Sequence, residues 1–247
     1  MIDAPPAFPS LGADAYVVVP EHLVNSAYSR AMTGSTRRVG YRDLEDFFTR
    51  IAAIVRAGGG RRFAYGYWPE LDTLAHIHGV GSAPVATHLH ALDRGFQALL
   101  DQLGGTDTLV LVVADHGFVD TRPESVIHLD RHPDLHACLS LPLCGEPRAA
   151  YCYVRPACVQ RFERYVTEEL RDQCELFPAA ALVEGGWFGL GTPSPRLLER
   201  VGDYVLLMKG DRVIKDRLPG EAVFHQIGVH GGVSRAELYV PLVMARV

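Results

Sequence analysis

Three short runs in this chain place aspartate and histidine where a metal ion can be gripped. The first is Tyr67-Trp68-Pro69-Glu70-Leu71-Asp72-Thr73-Leu74-Ala75-His76, in which Asp72 and His76 stand four residues apart. That spacing is one helical turn, so a helix there aims a carboxylate and an imidazole at one point. The second, Asp115-His116-Gly117, directly follows an apolar run. Neighbouring side chains in a loop point to different places, so Asp115 and His116 can serve one metal together or bridge two, with Gly117 allowing close backbone approach. The third is Gly228-Val229-His230-Gly231-Gly232, an imidazole held among glycines. Each run alone also fits an ordinary helix end, turn or loop. Their coincidence supplies Asp and His in numbers suited to a borderline divalent metal.

The elements that would hold these runs can be read from periodicity. Ala15 to Val19, ended by Pro20, has the pattern of a buried strand. Leu44, Phe47, Phe48, Ile51 and Ile54 recur at helical spacing up to Gly58-Gly59-Gly60. A strand is expected over Arg62 to Trp68, and a long helix from Ser82 to Leu103 closed by Gly104-Gly105. Thr108 to Val113 is so apolar that the expectation is a strand covered on both faces, running directly into Asp115 and His116. Strand, helix and strand of these lengths imply a mostly parallel sheet with helices on both faces, an α/β fold. In such sheets ligands sit where loops leave the carboxyl ends of strands, as these runs do. Residues from about 121 to 195 are less regular, with a strand expected at Ala149 to Val154 and a helix at Ala157 to Arg171, and read as a small α+β insert. The chain is then expected to return to the main sheet through Tyr204 to Met208 and to end on the strand Leu238 to Met244, giving one domain over residues 1–247.

With 247 residues, 48% of them hydrophobic, the chain can bury a sizeable core. Its 24 basic and 29 acidic residues give a net charge of -5, which offers no reason to expect nucleic acid or an anionic membrane as a standing partner. Bound dications would supply the positive charge that a small anionic substrate needs. The start, Met1-Ile2-Asp3-Ala4-Pro5-Pro6, lacks a basic segment and an apolar stretch, and no run approaches a membrane span, so cytoplasmic residence is the expectation. Cys138, Cys144, Cys152, Cys158 and Cys174 show no CxxC spacing and read as reduced, mostly buried thiols.

The ordered set Asp72-x-x-x-His76, Asp115-His116-Gly117 and His230-Gly231-Gly232 resembles the alkaline phosphatase superfamily, and within it the nucleotide pyrophosphatase/phosphodiesterase branch. Gly145-Glu146-Pro147-Arg148, Gly202-Asp203-Tyr204 and the ending Ser234 to Leu242 look like that branch too, so the likeness spans nearly the whole chain. The resemblance implies an alkaline phosphatase-like fold, zinc as cofactor, and a small phosphate-ester or nucleotide substrate. It implies that Asp72, His76 and His230 bind one zinc, and Asp115 and His116 a second. The implied reaction is two-metal phosphoryl transfer, hydrolysing phosphodiester or nucleotide pyrophosphate bonds. The family also uses an aspartate after its first strand and a threonine or serine nucleophile before a helix. Asp3 and Asp14 lack the strand-then-loop context, and Ser10, Ser35 and Thr36 lack the helix behind them, so the chain is expected to begin after that segment. Two alternatives stand beside this reading: a non-catalytic short form that binds metal, and a superfamily phosphomonoesterase or sulfatase.

The other histidines carry less. His88 and His90, two residues apart on a helix, face different directions, and His78 lies near the first run. His128, His132 and His136 repeat every four residues, but Pro133 is expected to interrupt a helix there and leave a loop. His136 and His225 can orient ligands or contact substrate. Arg148 suits either a phosphate or a structural carboxylate.

Overall fold

The computed structural model describes residues 5–217, 220 and 225–247, in two compact units. Asp3 lies outside the described residues. The first unit runs to Leu74 and adds Gly81–Val113 and Leu242–Val247. Its sheet is built on β1 (Asp14–Pro20), whose Val17, Val18 and Val19 are buried. Helix α1 (Ala27–Thr33), capped by the Ser26 side chain, leads to β2 (Arg37–Tyr41), which lies parallel to β1. Helix α2 (Leu44–Arg56) starts where Asp43 accepts from the Asp46 N–H at 2.9 Å. Its Phe47, Phe48 and Ile51 pack on Val18, Tyr41 and Trp68. β3 (Arg62–Gly66) then pairs parallel with β1 on the other edge, giving the order β2-β1-β3. This is the parallel sheet that the strand and helix lengths predict.

Helix α3 (Glu70–His78) follows, and the division between the units falls inside it. Helix α4 (Ala83–Leu103) buries Leu99 and Leu103 against Ala52 of α2. β4 (Leu109–Val113) departs from expectation twice. It pairs antiparallel with the chain's last strand as a separate two-stranded sheet, and it is not covered on both faces, since Leu109, Leu111, Val112 and Val113 are exposed. Only Val110 turns onto the α2 and α4 cluster. An apolar strand registers a need for cover without specifying it.

The second unit holds Ala75–Val80 and Ala114–Pro241. It runs through β5 (Val119–Asp120), β6 (Val126–His128) and α5 (Pro133–Cys138). Pro133 starts this helix instead of preventing it, because the first helical position needs no N–H partner. The main sheet comprises β7 (Cys144–Glu146), β8 (Ala149–Cys152), β9 (Cys174–Pro178) and β10 (Tyr204–Met208), antiparallel throughout, in the order β7-β8-β10-β9. Tyr204 to Met208 therefore does not rejoin the parallel sheet; it is the strand between β8 and β9. Helix α6 (Val159–Glu169) covers one face through Phe162 and Val166, while α7 (Ala179–Glu184) and α8 (Leu197–Val201) cover the other through Ala179, Leu182 and Val201. β11 (Val213–Lys215) pairs parallel with β6, and β12 (Gly228–Val229) antiparallel with β5. Helix α9 (Arg235–Leu238) precedes β13 (Leu242–Arg246) of the first unit. The class is α/β with mixed sheets. Among the described residues, no helix is long and apolar enough to cross a membrane.

Candidate metal centre

Helix α3 carries acidic residues in its first turn and His76 and His78 in its last, the arrangement its dipole favours. It ends at Gly79, whose φ of 82° suits glycine and whose N–H donates to the Ala75 carbonyl at 2.9 Å. Asp120 fastens the exit by accepting from the Val80 N–H at 2.8 Å. The end of α3 is also tied to the strand before His230: the Ile227 N–H donates to the His76 carbonyl at 2.8 Å. A Cβ on Gly228 would lie 2.4 Å from the Ala75 carbonyl oxygen, so only glycine allows this approach.

The short β5–β12 ladder sets the two histidine loops side by side. Val229 pairs with Val119, so His230 leaves the ladder beside the segment carrying His116. The His116 and His230 rings stack with centroids 3.7 Å apart and an interplanar angle of 15°. The His76 ring lies 5.1 Å from that of His230. Phe118 stands edge-on to all three imidazoles at 5.2 to 5.3 Å, an apolar wall on which they pack.

Hydrogen bonds orient two of the rings. His76 Nδ1 is 2.8 Å from the Gly228 carbonyl and His116 Nδ1 is 3.1 Å from the Gly117 carbonyl. A carbonyl can only accept, so in each of these two bonds Nδ1 is the donor, and the bond fixes the direction of the ring. Asp72, one turn before His76 on α3, is half-buried, as are His116 and His230. Within the second unit, His76, His116 and His230 thus gather three imidazoles on Phe118. Three gathered imidazoles, with the Asp72 carboxylate one helical turn before His76, are ligand types that suit a borderline divalent ion.

Two of the sequence candidates differ in their surroundings. His76 is beside His230 but turned by its bond to Gly228, and it lines a cavity of about 240 Å³ with Glu146, Pro147, Gln226, Val229 and His230. Asp115 has its side chain 79% exposed, with Oδ1 3.6 Å from His116 Nε2. Phe118 was not singled out by sequence reasoning, although an aromatic residue directly after an Asp-His-Gly run was the available signal. Arg148 is fully buried and bound bidentately to Glu237, at 2.9 Å through Nε and 2.7 Å through Nη2, which settles its role as structural. His88 accepts from Trp68 Nε1 at 2.8 Å, and His132 Nδ1 lies 2.8 Å from the Tyr165 hydroxyl. All five cysteines are free; Cys138, Cys152 and Cys174 are buried, and burial pushes the Cys174 thiol up to about 11.

The family model described as type I phosphodiesterase / nucleotide pyrophosphatase matches residues 10–183. The chain belongs to that family. It is thus a member of the alkaline phosphatase superfamily, as the three runs imply. His230 lies beyond the matched span, so its place in the centre rests on the geometry above. Among solved structures, this family member is similar to murine ectonucleotide pyrophosphatase/phosphodiesterase 5, an inactive variant in complex with AMP, with a TM-score of 0.71 at 17% identity. The human protein of the same name gives a TM-score of 0.69 at 14% identity. Phosphonoacetate hydrolase from Sinorhizobium meliloti 1021, in complex with phosphonoacetate, gives 0.64 at 16%. Each match covers 96% of this chain, which spans 61% of the first two structures and 66% of the third. At these identities the likeness is one of fold. No curated protein matches the chain.

Proposed function

We propose that this family member is a zinc-dependent hydrolase of phosphodiester or nucleotide pyrophosphate bonds. The observation carrying this reading is the gathering of His76, His116 and His230 against Phe118. Zinc bound there would polarise a phosphoryl oxygen and offset the charge that builds on it. The chain's own residues do the positioning. His76 and His116, each with Nδ1 committed to a backbone carbonyl, present Nε2 in a fixed direction, and Phe118 holds the rings apart from solvent on one side. The family precedent extends the set to two zinc ions, with Asp72, His76 and His230 on one and Asp115 and His116 on the other. Nucleotide or phosphonate compounds, which the similar structures hold, are the substrate class we assign, and cytoplasmic residence is part of the same proposal.

A second reading is favoured by one observation. Of the hydroxyls weighed as nucleophile, Ser10 donates to the Ala7 carbonyl at 2.7 Å on a short 3-10 turn, and none of the candidates adjoins an assigned metal ligand in sequence. On this second reading the nucleophile is assigned to no residue of this chain, which is a metal-binding form without turnover of its own. Zinc stoichiometry together with hydrolysis of a chromogenic phosphodiester separates the readings. The 247-residue chain is expected to bind zinc and hydrolyse little. Robust turnover would overturn the second reading, and absence of bound zinc would overturn both. His230→Ala should lower the zinc content, and an unchanged stoichiometry would remove His230 from the site.

A further inference from the structure

We infer that Glu237 is a positioning residue that sets both metal-binding histidine loops at once, with Arg148 as its clamp. The inference rests on the proposed metal site for its meaning, though not for its test. Glu237 is the third residue of α9 and completes a capping box with Ser234. Such a glutamate usually faces water, yet this one is 2% exposed. Its carboxylate accepts from Arg148 Nε at 2.9 Å and Nη2 at 2.7 Å, from the Ser234 hydroxyl at 2.6 Å, and from the Gly232 N–H at 2.8 Å. Arg148 is held in turn, because its Nη1 donates to the carbonyls of Gly210 and Arg212 at 2.8 and 2.7 Å. The guanidinium cannot swing toward a substrate without leaving a buried carboxylate unpaired.

What this knot holds is the site. Gly232 is two residues after His230, so the carboxylate anchors the His230 loop from behind. The backbone carbonyl of Glu237 accepts from the Gly117 N–H at 2.7 Å, one residue after His116. Both approaches require glycine: a Cβ on Gly117 would lie 2.0 Å from the Ala236 carbonyl oxygen, and one on Gly232 would lie 2.8 Å from both Glu237 carboxylate oxygens. One residue thus fixes two loops whose imidazoles stack at 3.7 Å. A neutral amide in its place keeps the shape but offers a single acceptor atom where two serve five donor groups, the Ser234 N–H at 3.3 Å being the fifth.

The test uses Glu237→Gln and Gly232→Ala in the whole chain, with Leu206→Val as a control that lowers stability in the sheet core. Cobalt affinity and visible spectrum report on the loaded site. The NMR ring-proton shifts of His116 and His230, which stacking displaces, report on the metal-free protein. We expect cobalt affinity to fall about 10–100-fold in Glu237→Gln, the range seen when a supporting residue behind a ligand is removed, with an altered spectrum. The two histidines' ring-proton shifts should move toward ordinary values, and Leu206→Val should leave both readouts in place. Gly232→Ala, which keeps Glu237 and Arg148, should do the same as Glu237→Gln and serves if the latter does not fold. Wild-type affinity, spectrum and ring shifts in a folded variant would overturn the inference. A wild-type chain that binds no cobalt would defeat the proposed function instead, and the ring shifts would still decide this one.

Discussion

β4 and β10 are near twins in composition, Leu-Val-Leu-Val-Val against Tyr-Val-Leu-Leu-Met, and opposite in burial. Leu206 in β10 is fully buried, whereas Leu111 in β4 is 53% exposed. In β10, Leu206 and Met208 enter one cluster with Phe162 and Val166, while Val205 and Leu207 enter another with Ala179 and Leu182. Strand neighbours β8 and β9 occupy both its edges. β4 has β13 on one edge, and one helix-facing side chain, Val110, in a cluster. Apolar character therefore marks a strand that gains from cover, and the partners brought by the rest of the chain decide how much it gets. The candidate-site histidines His76, His116 and His230 lie in the same unit as the covered strand.

The largest effect should come from the buried ion pair of that unit. Arg148→Ala leaves the Glu237 carboxylate buried beside Gly232 and Ser234, and should destabilise by about 3–5 kcal/mol in urea titrations. A loss under 1 kcal/mol, roughly the value of a solvated pair, would mean that this knot is open to water. The pair also has a pH signature. Burial pushes the Glu237 carboxyl up, but hydrogen bonds from Arg148, Ser234 and Gly232 together hold it below the usual carboxylate range. Its contribution is then complete above the unfolded-state value and lost as pH falls through the lower folded value. Next in size is Leu206→Ala, which opens a cavity between β10 and the α6 cluster and should cost about 2–5 kcal/mol.

Elements whose reasons are local could be read directly. The valines of β1, the helical spacing of α2 and the glycine stop after α4 each carry their own signal, and each element lies within a few residues of its expected place. Pairing was harder to read, because strand partners are chosen over distance: β10 runs between β8 and β9, and β4 beside β13. Pro133 misled because a proline that breaks a helix interior is welcome at its first position. At the candidate site, residue types and spacing single out Asp72, His76, Asp115, His116 and His230 as candidates, since few side chains bind metal. Phe118, which walls the imidazoles, and Glu237, which ties their loops, were silent. A phenylalanine in a loop and a glutamate in a capping box have common alternatives, and only their distant neighbours give them these positions.

The smallest effect should fall on β4, and it probes the comparison most sharply. Leu111→Thr puts a β-branched residue on a strand whose side chain there meets solvent, so stability should change by no more than about 0.5 kcal/mol. Solubility should change more. Leu109, Leu111 and Val113 alternate along one face, each more than half exposed, beside Leu242 and Met244 of β13, and such a row favours association between chains. Light scattering over a concentration series should show less self-association for Leu111→Thr than for the unsubstituted chain. If Leu111→Thr instead costs as much as Leu206→Ala, the β4 face is covered in solution. The two strands would then differ in the chain that supplies the cover, and no longer in whether they have it.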